Sequence, residues 1–234
     1  MEFQKITAPS LRTLFVEQLE HMILSGQLQI GEKLPSERQL AEAMQVSRGV
    51  VNGGLNELEK KGFLEVRPRS GTYVADYRRK GTIDTLISII NYHDGIITDD
   101  VIRSILELRI ALDTLAVQLC IDHITDSDLG LLREQVEKIK HATSNHEAAE
   151  AAFAFQHEFA LLSGNTLIPL VFQTFRPIVI SMWERFCLLH GIPALYDNND
   201  KFWAYLKARD KDGAIAWLES FIGETIKGSR EIYY

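Results

Sequence analysis

A chain of 234 residues is long enough for two domains with separate cores, and 46% hydrophobic with 24% charged residues is ordinary for a globular protein. No apolar run approaches the roughly 20 residues of a membrane span and no signal-peptide pattern opens the chain, so a cytoplasmic protein with no membrane partner is expected. The formal charge of −7 is unevenly divided: residues 1–80 hold 12 Lys and Arg against 10 Asp and Glu, whereas residues 81–234 hold 13 against 22, and the stretch from Lys33 to Lys80 holds 10 against 6.

The basic stretch carries the clearest pattern. Pro35-Ser36-Glu37-Arg38 opens a helix, with Ser36 as its cap and Gln39 three residues on, as in a capping box. Leu40, Ala43 and Met44 give that helix an apolar face, and Val46 packs the turn after it. Ser47 caps a second helix, and Arg48 stands in its first turn. Val50, Val51, Leu55 and Leu58 form its buried stripe, and Lys60-Lys61-Gly62 ends it with basic residues and a C-cap glycine. Phe63–Val66 and Thr72–Val74 read as two strands joined by the basic turn Arg67-Pro68-Arg69-Ser70-Gly71. Helix, turn, helix and hairpin in this order describe a winged DNA reader. Its second helix meets base edges through its N-terminal residues, here Ser47, Arg48, Gly49 and Asn52. Arg48 can fork onto a guanine, Asn52 can pair with an adenine, and the wing tip can reach phosphate or the minor groove. Any one of these arginines is equally a solvated surface charge; the ordered constellation is the signal.

These residues resemble the DNA-binding domain of the GntR family of bacterial transcription regulators. The likeness runs over residues 10–75, through a leading helix from Leu11, the LPSERQLAE segment, VSR, and LNELEKKGFLEVRPRSGTYV. It implies base or phosphate contacts at Arg38, Ser47, Arg48, Gly49 and the wing residues Arg67, Arg69, Ser70 and Gly71. The family usually has an arginine where this chain has Asn52, and often a glycine where it has Arg69. Both departures leave the operator sequence open but not DNA binding.

Residues 1–76 are therefore expected to form the winged helix-turn-helix domain and 77–82 a linker whose Arg78, Arg79 and Lys80 can add phosphate contacts. From residue 83 to 234 the strand signals vanish and an all-α bundle of six or seven helices is expected, making the whole chain mainly α. The periodicity predicts helices over Thr82–Tyr92, Asp99 to about Ile121, a segment capped by Thr125 or Asp126 and running to about Thr143, and His146–Leu162. Further helices are predicted over Thr166–His190, kinked at Pro169 or Pro177, then Asn199–Arg209 and Lys211 to about Lys227. Cys120 and Cys187 lie in apolar helical settings and read as buried free thiols.

This second region resembles the effector-binding domain of the FadR subfamily within GntR, through Glu107-Leu108-Arg109 with Leu112-Asp113, the run from Phe159 to Asn165, and the LKARDKDGAIAWL ending. Most proteins with this bundle hold a divalent metal through an Asp and three His. The corresponding positions here are Ala152, Gln156, Asn199 and Phe221, which make no competent donor set, so no metal and no cofactor is expected. His157 is one residue out of register. Removing the ligands is expected to leave a roomier, more apolar cavity, drawn from Phe155, Phe159, Phe172, Phe175, Trp183, Phe186, Trp203, Trp217 and Phe221. Most of these are equally well simple core. Arg109, Arg176 and Arg185 stand on apolar stripes. Arg109 either receives an acidic effector or forms an internal ion pair with Asp113 or Glu107. The candidate effector residues are Arg109, Gln156, Arg185, Asn199 and Phe221. The metal-free relatives include a fatty-acyl-CoA-responsive regulator, so an organic acid or an acyl derivative is the expected class of ligand.

The combined expectation is a regulator, read as a repressor, that binds a palindromic operator on double-stranded DNA as a homodimer and responds to a small organic, acidic effector. No Gly-rich phosphate loop, nucleophile elbow or apolar carboxylate pair supports an enzyme. A DNA-binding protein whose bundle only dimerises is the remaining alternative.

Overall fold

Ser10 starts the first helix, α1 (Leu11–Leu24), by accepting a hydrogen bond from the Thr13 amide. The computed structural model describes residues 9–91, 99–227 and 232. Their contacts divide the chain into two units meeting between Asp94 and Gly95, and each has its own logic.

In the first unit, α2 (Glu37–Ala43) begins with the expected capping box, Ser36 accepting from the Gln39 amide while the Gln39 side chain accepts from the Ser36 amide. Ser47 caps α3 (Arg48–Lys60) in the same way through the Val50 amide. Strands β1 (Leu64–Arg67) and β2 (Gly71–Val74) pair antiparallel, Leu64 opposite Val74 and Arg67 opposite Gly71, one residue later in β1 than the sequence pattern suggests. The segment before α2 lies along the other edge of β2: Gly31 and Leu34 donate to the carbonyls of Val74 and Thr72, and Val74 donates to Glu32. This covers an edge that would otherwise be open. The core joins Phe15, Val16 and Leu19 of α1 to Leu40, Val51, Leu55, Leu58, Phe63, Leu64 and Val74. Ala43 is exposed, and Ala41 takes the expected apolar place beside Leu40 and Met44. Helices α1 and α3 cross closely at Gly54, where a Cβ would stand 2.3 Å from the Phe15 ring.

Residues 77–82, expected to link two domains, form a single helical turn, α4 (Tyr77–Lys80), followed by α5 (Ile83–Asn91). Although residues 83 onward are expected to belong to the bundle, α5 is tied to the first unit. Thr85 donates to the Lys61 carbonyl, and Ser88 donates to the Glu20 carboxylate, which also receives Lys61 at 2.9 Å. Tyr92, the expected end of this helix, lies outside the described residues.

The second unit is α6 (Asp99–Cys120), α7 (Asp126–His141), α8 (Asn145–Leu162), α9 (Ile168–His190), α10 (Ile192–Ala208) and α11 (Lys211–Ile226). Thr125, rather than Asp126, caps α7. Helix α8 is the axle of the bundle. Ala148, Ala149, Ala151, Ala152 and Ala160 keep it slim where α7 and α9 pack on it, and Phe153, Phe155 and Phe159 fill the space between. Helix α11 packs on α6, and α10 covers α7. Pro169 sits in the first turn of α9 and only Pro177 is interior. Helix α10 starts at Ile192, seven residues before the expected Asn199. Gly191 at φ 85° breaks the chain from α9, and Pro193 is tolerated in the first helical turn, where its missing N–H has no partner to lose. Cys120 and Cys187 are buried free thiols, and burial pushes each up to about 11. The all-helical second domain and the winged first domain are as the sequence reading expects.

Candidate nucleic-acid interface and ligand cavity

Five residues of α3 are poor helix formers: Gly49, Asn52, Gly53, Gly54 and Asn56. Packing accounts for one of them, Gly54, which admits the buried Phe15 ring; at Gly53 a Cβ would stand 3.3 Å from the exposed Arg12 guanidinium, which can move aside. Gly53 is half-buried. The other three are exposed, on the face that also carries Arg48. On that face Asn56 donates to the Asn52 side-chain oxygen at 3.0 Å, and Asn52 donates to the Glu37 carboxylate at 3.3 Å. Arg38 reaches Glu42 at 3.6 Å in an exposed i, i+4 pair, so its guanidinium is lightly held and can be redirected. Ser47 is exposed as well, its hydroxyl spent on capping.

The wing is braced from within. The Arg67 guanidinium lies over the Tyr73 ring, 4.3 Å from its centre, and also faces Glu65 at 3.5 Å. The Tyr73 hydroxyl meets Ser70 at 2.8 Å. Lys80 holds the other side of Glu65, whose carboxyl lies below its usual range chiefly through that hydrogen bond. Arg69 at the tip is exposed and held at φ 62°, a left-handed conformation that explains why glycine suits this place better. Gly71, at φ 121°, closes the turn. Thus Arg69 and Ser70 project on a stiff hairpin, whereas Arg67 is partly spent on bracing it.

In the second unit, Arg109, Gln156, Asn199 and Phe221 do come together. They line one cavity with Asp113, Phe155, Phe159, Asn198, Phe202, Trp217 and Leu218. Its volume is about 20 Å³, room for about one water, which corrects the expectation of an enlarged pocket. The reason is aromatic filling. Phe202 meets Phe155 and Phe159 edge-on at 6.0 and 5.1 Å, and Phe221 is stacked between Trp183 and Trp217 at 5.9 and 6.1 Å.

Arg109 makes the internal ion pair, 3.0 Å from Asp113, and lays its guanidinium over Trp183 at 4.7 Å. Both side chains are nearly closed to solvent. Burial pushes the Asp113 carboxyl upward and the adjacent guanidinium opposes this. One Asp113 oxygen and both polar atoms of the Gln156 side chain are buried without a well-formed hydrogen bond. Asn199 donates to the Leu195 carbonyl.

Arg185 is not at this cavity: it donates to the Ile232 carbonyl at 2.9 Å. Arg176 pairs with Glu150 over Phe153. Phe172, Phe175 and Phe186 are core, and Trp203 donates to the Leu129 carbonyl, while its neighbour Phe202 faces the cavity. Phe202 and Trp203 are neighbours about 100° apart around α10, and which of them faces the cavity is set by how α10 packs against α7, α8 and α11. Asn198 was legible only as half of an Asn-Asn pair. His157 stacks against Phe153 instead of lining the site. A transition metal does not fit here: Ala152 and Phe221 donate nothing, and Gln156 and Asn199 offer neutral amides. Among the described residues no three His, Cys, Asp or Glu converge.

Comparison with known proteins agrees with this architecture. The model of bacterial regulatory proteins of the gntR family matches residues 14–74, and the FCD domain model matches residues 104–224, more than half of the chain. The chain is 28% identical to the uncharacterized HTH-type transcriptional regulator YcbG of Bacillus subtilis over 74% of its own length and 72% of that protein. It is 39% identical to HTH-type transcriptional regulator Mce2R of Mycobacterium tuberculosis over 47% of its own length and 45% of that protein. LutR of Bacillus subtilis, another HTH-type transcriptional regulator, is 28% identical over 63% and 65%. A solved structure reported under the statement that Lar controls the expression of the Listeria monocytogenes agr system and mediates virulence shares the fold. It matches with a TM-score of 0.63 at 15% identity, covering 94% of this chain and 97% of that one. With a gntR winged helix-turn-helix and an effector-type FCD domain in one chain, the protein belongs to the gntR family of bacterial transcription regulators and is not an enzyme.

Proposed function

We propose that this regulator binds a palindromic operator as a homodimer in the cytoplasm, acts as a repressor, and is released or retuned by a small organic, acidic effector in the Arg109 cavity. The observation that carries the proposal is the exposed face of α3, with Arg48, Gly49 and Asn52 free of the core and the basic wing tip following in the same unit. In a helix-turn-helix such a face enters the major groove, with Arg48 on base edges and Arg38 and Arg69 on phosphate or groove walls. Two half-sites supply the affinity that a single winged unit lacks, which favours a twofold protein. Leu108, Leu115 and Leu119 leave an apolar stripe on α6 exposed, a suitable surface for self-association.

The cavity supports a ligand for a different reason. Buried charge and buried amides without full hydrogen bonding are costly, and a ligand that completes their bonds recovers the cost. An acid group can share or replace Asp113 on the Arg109 fork. Because the space holds about one water, the ligand body must displace Phe202 or Phe221, and that movement is the means by which binding could alter α10 and α11.

The test is selection of duplex DNA from a random pool by the full chain, followed by fluorescence anisotropy on the enriched sequence and light scattering of the complex. Enrichment of an inverted repeat bound by two chains is expected, with release by one of a panel of small organic acids. Binding of one chain to a single site, or equal affinity for random DNA, would overturn the operator reading. No response to any acid, with no ligand found by mass spectrometry of the purified protein, would overturn the effector reading.

A further inference from the structure

The chain of side chains Asn56, Asn52 and Glu37 crosses from the exposed face of α3 to the start of α2. It has no evident structural purpose. All three residues are exposed, and hydrogen bonds between exposed side chains add little stability because water competes for them. Asparagine inside a helix is also unfavourable compared with alanine. Neither Asn52 nor Asn56 is required by packing, unlike Gly54.

The geometry has a chemical consequence. Asn52 accepts from Asn56 and donates to Glu37, so its amide is turned with the oxygen toward the C-terminal end of α3 and the nitrogen toward α2. An asparagine recognises adenine with that same donor–acceptor pair, and each group retains a free valence, one N–H and one lone pair. Asn56 keeps its own oxygen and one N–H for another base. It stands four residues on, roughly 6 Å along the helix axis, which is about two base-pair steps.

We propose that Asn56 is a second base-reading residue of α3, and that Glu37 is a positioning residue that fixes the Asn52 amide for an adenine. The operator then carries an adenine opposite Asn52 and a second selected base within two steps of it, opposite Asn56. The inference rests on the reading that α3 enters the major groove.

The test uses the full chain and the DNA sequence it enriches from a random pool, with every base pair of one half-site replaced in turn. Asn52→Ala should remove roughly tenfold discrimination for adenine at one position. Asn56→Ala should remove a comparable preference at a second position and leave the first intact. Glu37→Ala should weaken discrimination only at the Asn52 position, whereas Glu37→Gln, whose amide oxygen still accepts, should preserve it. If Asn56→Ala leaves every base preference unchanged while Arg48→Ala relaxes one, the Asn56 assignment is overturned and the groove reading stands. If Arg48→Ala also changes no base preference, both fall. Equal weakening at all positions by Glu37→Ala would overturn its positioning role.

Discussion

Arg48 and Arg109 show two ways of placing a charge that is to meet a partner. Arg48 stands in water at the start of a helix whose other side is packed, and nothing inside the fold depends on it. Arg109 is enclosed, paired with Asp113 and stacked on Trp183, so the fold itself depends on its neutralisation. A surface reader can therefore change its specificity at little cost in stability. A buried site must change several residues together, because removing one partner strands the other.

The largest expected effect tests that contrast directly. Arg109→Ala should destabilise the second unit by about 3–5 kcal/mol in urea unfolding, because Asp113 is left buried and alone. Arg109→Ala combined with Asp113→Ala should cost less than Arg109→Ala by itself; an equal or greater cost would show that the pair is not a unit. For the same reason a test of ligand response should spare Arg109 and use Gln156→Met, which keeps the volume and removes the amide. In the first unit, the matching disruption is of packing. Gly54→Ala should cost about 1–3 kcal/mol, since its methyl group would overlap Phe15. Unchanged thermal unfolding would mean that α1 and α3 can separate freely.

Arg48→Ala should leave unfolding unchanged while weakening operator binding by about 1–3 kcal/mol and relaxing specificity. Equal losses on operator and random DNA would reassign Arg48 to phosphate. Arg69→Gly sharpens the comparison further, because it should separate stability from binding. Relief of the left-handed backbone should stabilise the first unit by about 1 kcal/mol, while the salt dependence of DNA binding falls by about one phosphate contact. A stabilised variant with an unchanged salt slope would place Arg69 off the DNA. The smallest effect is at the thiols. With Cys120 and Cys187 pushed up to about 11 from about 9, the folded state prefers the neutral thiol. Their contribution is therefore constant below about pH 9 and is lost as the pH rises toward 11. Thiol labelling of the native protein at pH 8 should be far slower than that of the urea-unfolded chain, and equal rates would contradict their burial.

The first unit was legible in detail because its signals are local. Ser36 with Gln39, and Ser47 with Val50, are capping patterns completed within three residues, and a hairpin turn is written in Arg67–Gly71. Even so, Ala43 and Ala41 exchanged places, since an alanine at the margin of a short helix gives periodicity little to act on. In the second unit, most helices were legible from their apolar spacing. The start of α10 was not, because Gly-Ile-Pro ends one helix and begins the next with the same residues.

The sequence by itself determined the order of elements, the caps, the exposed basic tip and the lack of metal donors at Ala152, Gln156, Asn199 and Phe221. Those properties depend on residue type and on neighbours a few positions away. Only the tertiary structure decided that Arg109 and Asp113 close on each other, that Arg185 points instead to Ile232, that Phe202 and Phe221 fill the cavity, and that Glu37 reaches Asn52. Each of these depends on which helix faces meet, and that is set by the packing of side chains far apart in the chain.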